Sequence, residues 1–380
     1  MEKELRVSLP PQGSLLREYI KTVFYYADYS DPLDEITPTA EGFTIKSNNI
    51  RSSLSESIRL AIQTLNDNSQ KTNSKKSEFP FHSNDKRWKT IDKIKDFLFL
   101  KGDSLSELFT EYAEYLNAKC TDNELQQCLQ TYHNGYSEDV RKTTRLAGLS
   151  VFKPENYQYV RSLGYSREFH LNLGVHSTLI GMAGFILSKI SRVPINKNNF
   201  LTVLITPEDI SRKIKTLQLR KPLEAMRSLR EKGIPGLYPT EALMLWLGLT
   251  YSNSEMNLIN VFIIKEPFGQ TPSSLYHEYT FNLKTVMSVA EIIRNAGERY
   301  SKSYEHLLKE ALKYNAKERT FAINIVKKIF QVINGSARPE QLTYLASREA
   351  LIGSKSSKVS YIRKIAPIVA LTIQQSMTEF

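Results

Sequence analysis

The side chains with most to offer chemically are cations in two clusters. Arg212, Lys213, Lys215, Arg220, Lys221, Arg227, Arg230 and Lys232 are opposed within their stretch only by Glu224 and Glu231. At helical spacing they form a broad basic face rather than a line, suited to neutralising phosphates. Lys71, Lys75, Lys76, Lys86 and Arg87 form the second cluster, with Trp88 and Lys89 beside them. Cations grip a nucleic-acid backbone and an indole stacks on a base. A basic loop that enters a groove also reads base edges. These residues are the candidate nucleic-acid contacts.

Motifs for catalysis are absent. There is no GxxxxGK[ST] loop, and GVHSTLIGMAG at Gly174 to Gly184 lacks the lysine and the glycine spacing of a phosphate cradle. It reads instead as a tightly packed helix start. His170 and His176 have no carboxylate or cysteine at ligand spacing, so no metal is expected. Cys120 and Cys128 fit neither a CxxC knuckle nor a disulfide framework and read as buried or idle thiols in a reducing compartment. His277-Glu278 is not followed by a second histidine, GxSxG does not occur, and no acid stands two residues before a lysine. The expectation is a protein that is not an enzyme and carries no cofactor. Two rival readings are a basic scaffold for protein–protein assembly and a metal-dependent nuclease whose carboxylates pair only in space.

The elements that position these residues follow from periodicity. Leu16, Ile20, Val23 and Phe24 predict a helix over Leu15 to Tyr26, and Phe43 and Ile45 a strand over Gly42 to Lys46. Residues 66–89 are polar and read as a basic loop or linker. Capping boxes at Ser104 to Glu107 and Thr121 to Glu124 open two helices, and a third is expected over Ser137 to Leu146. Strands are expected at Glu168 to Leu173, Phe200 to Ile205 and Leu258 to Ile264. Thr206-Pro207-Glu208-Asp209 predicts a helix start running to about Arg220, followed by helices from Pro222 and from Tyr238. Beyond residue 281 the pattern is helical: Val286, Val289, Ala290 and Ile293, then Leu307, Leu308, Ala311 and Leu312, then Phe321, Ile325, Ile329 and Val332. Pro339 opens a further helix closed by Gly353, and Ser357 to Met377 gives the last, kinked at Pro367.

The fold expected is predominantly helical α+β: a mixed α/β N-terminal and middle region, then a C-terminal antiparallel helical bundle. The organisation reads as an N-terminal α+β segment at 1–65, the loop at 66–89, a middle region at 90–280 and a basic bundle at 281–380. The 380 residues carry a net charge of +11, with a sequence pI of about 9.3. Most of that charge, about +8, falls in residues 281–380. The N-terminus MEKELRV is not a signal peptide, and Ala242 to Leu249, the richest apolar run, is too short to span a bilayer. A cytoplasmic protein without membrane contact is expected.

Three stretches resemble a known family: GIPGLYPTEALMLWLGL at Gly233 to Leu249, the strand before Pro267, and SSKVSYIRKIAPIVAL at Ser356 to Leu371. With the α/β front and basic helical tail, the chain resembles the large subunit of archaeal type I-A CRISPR interference (Cascade) complexes. It lacks the paired CxxC zinc motifs of some related large subunits. The resemblance implies a non-catalytic subunit beside the 5′ handle of a guide RNA. Such a subunit recognises a protospacer-adjacent motif in target duplex DNA and assists strand opening, while guide pairing reads the remaining sequence. It also implies partners: guide RNA, target DNA, other subunits of the interference complex, and a separate helicase-nuclease that cuts.

Overall fold

A helix that is apolar on every side has to lie inside a protein, and Val175–Ser188 meets that condition, buried along its whole length; Leu15–Ser30 is buried almost throughout although it carries Glu18, Lys21 and Asp28. The computed structural model describes residues 4–10, 15–40, 42–72, 89–129, 143–145, 172–196, 199–207, 240–250, 258–267, 274–313, 319–333, 335–352 and 369–370. The described elements of the first part are β1 (Glu4–Ser8), α1 (Leu15–Ser30), β2 (Glu35–Pro38), β3 (Gly42–Lys46), α2 (Ile50–Thr72), α3 (Lys89–Leu98), α4 (Leu105–Ala118) and α5 (Asp122–Leu129). They continue with β4 (Thr143–Arg145), β5 (Asn172–Gly174), α6 (Val175–Ser188), β6 (Lys189–Asn196), β7 (Asn199–Pro207) and α7 (Thr240–Thr250). The last are β8 (Leu258–Pro267), β9 (Ser274–Asn282), α8 (Leu283–Asn295), α9 (Glu298–Leu312), α10 (Arg319–Ile333) and α11 (Pro339–Ile352). Helix predominates and the sheets are small, as the α+β expectation required.

The chain divides into two units, residues 1–223 with 260–280, and residues 224–259 with 281–380. In the first, α1 packs on α2, α6 and β7. A Cβ on Gly184 of α6 would lie 2.0 Å from the carbonyl oxygen of Tyr19. The two helices therefore meet backbone to backbone, which only glycine permits, and the glycine-rich run is a packing feature as expected. Glu18 and Lys21 of α1 are both buried and pair at 2.9 Å. The Thr206 hydroxyl donates to Glu18 Oε2 at 3.2 Å, so the charges buried with α1 have partners. On α2, small residues allow close approach to α4: Ser55 donates to the carbonyl of Ala113 at 2.9 Å.

Three sheets stand among the described residues, and the first arises from local alternation. β3 is the centre of β1-β3-β2, antiparallel on both sides, with Leu5 opposite Ile45 and Val7 opposite Phe43. These four side chains are buried, and Phe43 meets Phe24 of α1 edge-on at 5.0 Å. β4 pairs antiparallel with β5. The third sheet has the order β6-β7-β8-β9. Pro194 is tolerated in β6 because β6 is an edge strand with irregular register there.

Several local expectations need correction. α2 continues to Thr72, so the segment read as a loop from residue 66 begins as helix. Thr143–Arg145 is strand, not the end of a helix from Ser137, because it pairs with β5; residues 137–142 and 146 lie outside the described set. Thr206 and Pro207 end β7 rather than starting a helix, since the Thr206 hydroxyl is used by Glu18. The remainder of that helix and the next, from residue 208 to 239, lie outside the described residues, as does most of the last predicted helix.

In the second unit α7 packs against α8, α9 and α10, and α10 against α9 and α11. The predicted stripes of α8, α9 and α10 are buried, with Phe321 only partly so. Arg294 donates through Nη2 to the carbonyl of Leu249 at 2.7 Å, satisfying an end carbonyl of α7. Gly335, at φ 70°, turns the chain after α10. Among the described residues no helix is long and apolar enough to cross a membrane.

Candidate functional site

Arg212, Lys213, Lys215, Arg220, Lys221, Arg227 and Arg230 lie outside the described residues, as do Lys75, Lys76, Lys86, Arg87 and Trp88. Lys71 falls in the last turn of α2. Among the cations that the structure does describe, a set stands on the helices of the second unit.

Burying Tyr304, Leu307, Leu308, Ala311 and Leu312 on one side of α9 leaves the opposite side to solvent. That side carries Arg299, Lys302, His306, Lys309 and Lys313, all exposed and spaced at three or four residues. At a rise of 1.5 Å per residue such a stripe extends for about 21 Å. Lys302 pairs with Glu298 and Lys309 with Glu305, each four residues away. Lys309 also lies 5.7 Å from the centroid of the Trp246 ring. Arg299 and Lys313 have no acidic partner among the described residues. On α10 the exposed positions are Thr320, Asn324, Lys327 and Gln331; on α11 they include Gln341, Tyr344 and Arg348. Tyr344 is 71% exposed, unusual for a ring of that size, and stands four residues before Arg348. A cation one helical turn from an open aromatic face is a combination that binds phosphate and stacks on a base. The charge of this region was legible in the sequence, but Tyr344 was not: its only signal was its place between the buried positions of α11.

A second constellation sits in the first unit, where α4, α5 and α6 converge. Tyr112 and Tyr115 lie three apart on α4, Cys120 ends the turn after it, Glu124 is in the first turn of α5, and His176 is the second residue of α6. Tyr112 Oη is 2.9 Å from His176 Nδ1, and His176 Nε2 is 3.2 Å from Glu124 Oε1. The Tyr115 hydroxyl donates to the same carboxylate oxygen at 2.7 Å. An ionised carboxylate only accepts, so Nε2 carries a proton, and in the neutral tautomer Nδ1 then accepts from Tyr112. The hydrogen bond from His176, followed by that from Tyr115, holds the Glu124 carboxyl below the usual carboxylate range against the opposing effect of burial. His176 is fully buried and Cys120 nearly so. The turn is fixed from α2: Arg51 pairs with Asp122 at 3.0 Å and donates to the carbonyl of Cys120. His176 read from sequence had no partner, because Glu124 is 52 positions away; only the packing of α5 on α6 supplies it.

Residues 121–350, more than half of the chain, match the family model described as CRISPR-associated protein, CsaX. The matched span runs from the start of α5 nearly to the end of α11. No curated protein matches the chain.

Proposed function

Because this chain belongs to the CRISPR-associated protein CsaX family, we propose that it is a non-catalytic, nucleic-acid-binding subunit of an RNA-guided antiviral effector complex. In this reading it recognises a protospacer-adjacent motif in target duplex DNA and assists strand opening. Guide RNA, neighbouring subunits and a separate helicase-nuclease are its partners, and it works in the cytoplasm. The resemblance to type I-A large subunits supports the finer assignment.

The observation that carries the nucleic-acid reading is the placement of charge. About +8 of the net +11 lies in the last hundred residues, and among its described cations Arg299, Lys302, Lys309, Lys313, Lys327 and Arg348 are exposed on or at the ends of α9, α10 and α11. Cations on a rigid helical surface, with Tyr344 among them, suit backbone tracking and base stacking. The 212–232 cluster and the 71–89 stretch add cations for phosphate contact and groove probing. Purifying the tagged protein gently from its native host and sequencing the RNA that accompanies it tests membership of a guide complex. Short RNAs with one repeat-derived 5′ end and diverse spacers are expected. An intact preparation without discrete RNA overturns the reading. Reversing Lys213, Lys215, Arg220 and Lys221 to Glu is expected to abolish DNA binding with the circular dichroism unchanged. Unchanged affinity removes that cluster from the interface, and salt-insensitive binding to partner proteins would favour a scaffold.

A further inference from the structure

The thiol of Cys120, the carboxylate of Glu124 and the imidazole of His176 offer one ligand atom each, and these atoms all lie within 4.8 Å of one another. We propose that Cys120, Glu124 and His176 form a binding site for a zinc-class divalent cation, with Tyr112 and Tyr115 orienting the imidazole and the carboxylate. The spacing fits. Two ligand atoms, each about 2.0–2.1 Å from a tetrahedral zinc ion, are themselves about 3.3 Å apart, and His176 Nε2 stands 3.2 Å from Glu124 Oε1. The Cys120 sulfur lies within 4.8 Å of both atoms, against about 3.5 Å between a sulfur and a nitrogen or oxygen corner of a tetrahedral zinc site, and closes that gap on binding.

The ligand types select the ion. Calcium and magnesium take oxygen donors, whereas a set of one sulfur, one nitrogen and one oxygen matches zinc or cobalt. With the cation on Nε2, the imidazole proton moves to Nδ1 and is donated to the Tyr112 oxygen, already 2.9 Å away. Metal-bound histidines usually hold their second nitrogen in this way. The Tyr115 hydroxyl fixes the carboxylate from the other side. His176 is enclosed while the Glu124 side chain retains 22% exposure, so the carboxylate side gives the ion access and a water a place in the fourth position. The bound ion ties the turn between α4 and α5 to the first turn of α6. This site lies in the first unit and the basic helices in the second, so neither reading depends on the other.

The test uses the full-length protein, stripped with a chelator and titrated with cobalt(II) and then zinc. One cobalt per chain is expected, with a thiolate-to-cobalt charge-transfer band and tetrahedral d–d bands that zinc displaces. Cys128→Ser should keep these bands and Cys120→Ser lose the charge-transfer band. Tyr112→Phe should weaken zinc binding about 10–100-fold. Zinc should raise the thermal midpoint of the wild type and not that of Glu124→Gln. A folded wild type without the thiolate band overturns the proposal, as does a band that survives Cys120→Ser or disappears with Cys128→Ser. Should Cys120→Ser fail to fold, Tyr112→Phe and Cys128→Ser decide the matter, because both retain the three ligands.

Discussion

Asp28 shows how a single buried charge shapes stability in this fold. It lies in the last turn of α1, nearly out of solvent, and its Oδ1 accepts the Leu33 amide at 2.8 Å. Burial raises its pKa, and the hydrogen bond from Leu33 opposes this only in part. A carboxylate at a helix C-terminus also faces the negative end of the helix dipole. With the folded pKa above the unfolded one, the folded state holds the proton longer. Stability therefore falls as pH rises from the unfolded pKa through the folded one. Asp28→Asn keeps an acceptor for Leu33 and removes the charge. It should raise the midpoint of urea unfolding at neutral pH and have little effect at acidic pH, where the aspartic acid is already protonated; a variant less stable at neutral pH would contradict this. None of this was readable locally, since Asp28 resembles any polar helix-end residue until Leu33 folds back on it. Glu124 was readable in part. The Thr121 hydroxyl accepts its amide at 3.1 Å, as a capping residue should, but the carboxylate half of the expected box serves His176 and Tyr115 instead.

At the scale of elements, the sequence was clearest where one helix start carried all its own signals. Ser104 accepts the Glu107 amide at 3.2 Å, and the Glu107 carboxylate accepts the amides of Asp103 and Ser104 at 2.9 and 3.0 Å. Ser104→Ala should cost about 1 kcal/mol, read as a lower denaturation midpoint. The amides of Ser104 and then Asp103 hold the Glu107 carboxyl below its ordinary range. A depressed folded pKa gives stability that is full above the unfolded pKa and lost as pH falls through the folded one. Glu107→Gln should therefore flatten the acid limb of the stability profile, and an unaltered limb would remove the box from the acid response. Elements whose identity depends on a distant partner were less legible. Thr143–Arg145 has no strand signature of its own and is fixed by β5. β6 contains Pro194, which argues against a strand until β7 leaves β6 at the edge. Thr206 looks like a helix cap until Glu18, 188 positions away, takes its hydroxyl.

At the scale of the whole molecule, composition spoke first and chain order said little. Residues 224–259 and 281–380 cluster in one unit although 260–280 belongs to the other, a partition that depends on three-dimensional packing. Net charge needs no such knowledge, and its concentration after residue 281 was visible at once; which cations remain available was not. Lys302 and Lys309 have acids one turn away on α9, so much of their field is already cancelled. Arg299, Lys313, Lys327 and Arg348 are exposed and lack acidic partners among the described residues. If these helices track a phosphate backbone, the second set should dominate binding. Reversing all four to Glu should weaken duplex-DNA affinity and reduce the log–log salt slope by about 0.9 for each phosphate no longer neutralised. Lys302→Gln with Lys309→Gln should change the slope far less. Tyr344→Ala should weaken single-stranded binding by about 1–3 kcal/mol, as the removal of one stacked base would, and leave the salt slope unchanged, because a ring neutralises no phosphate. Fluorescence anisotropy across a salt series reads all three. A change of slope per charge removed that is the same for the two sets would mean that total charge, not its placement on these helix faces, governs the interaction.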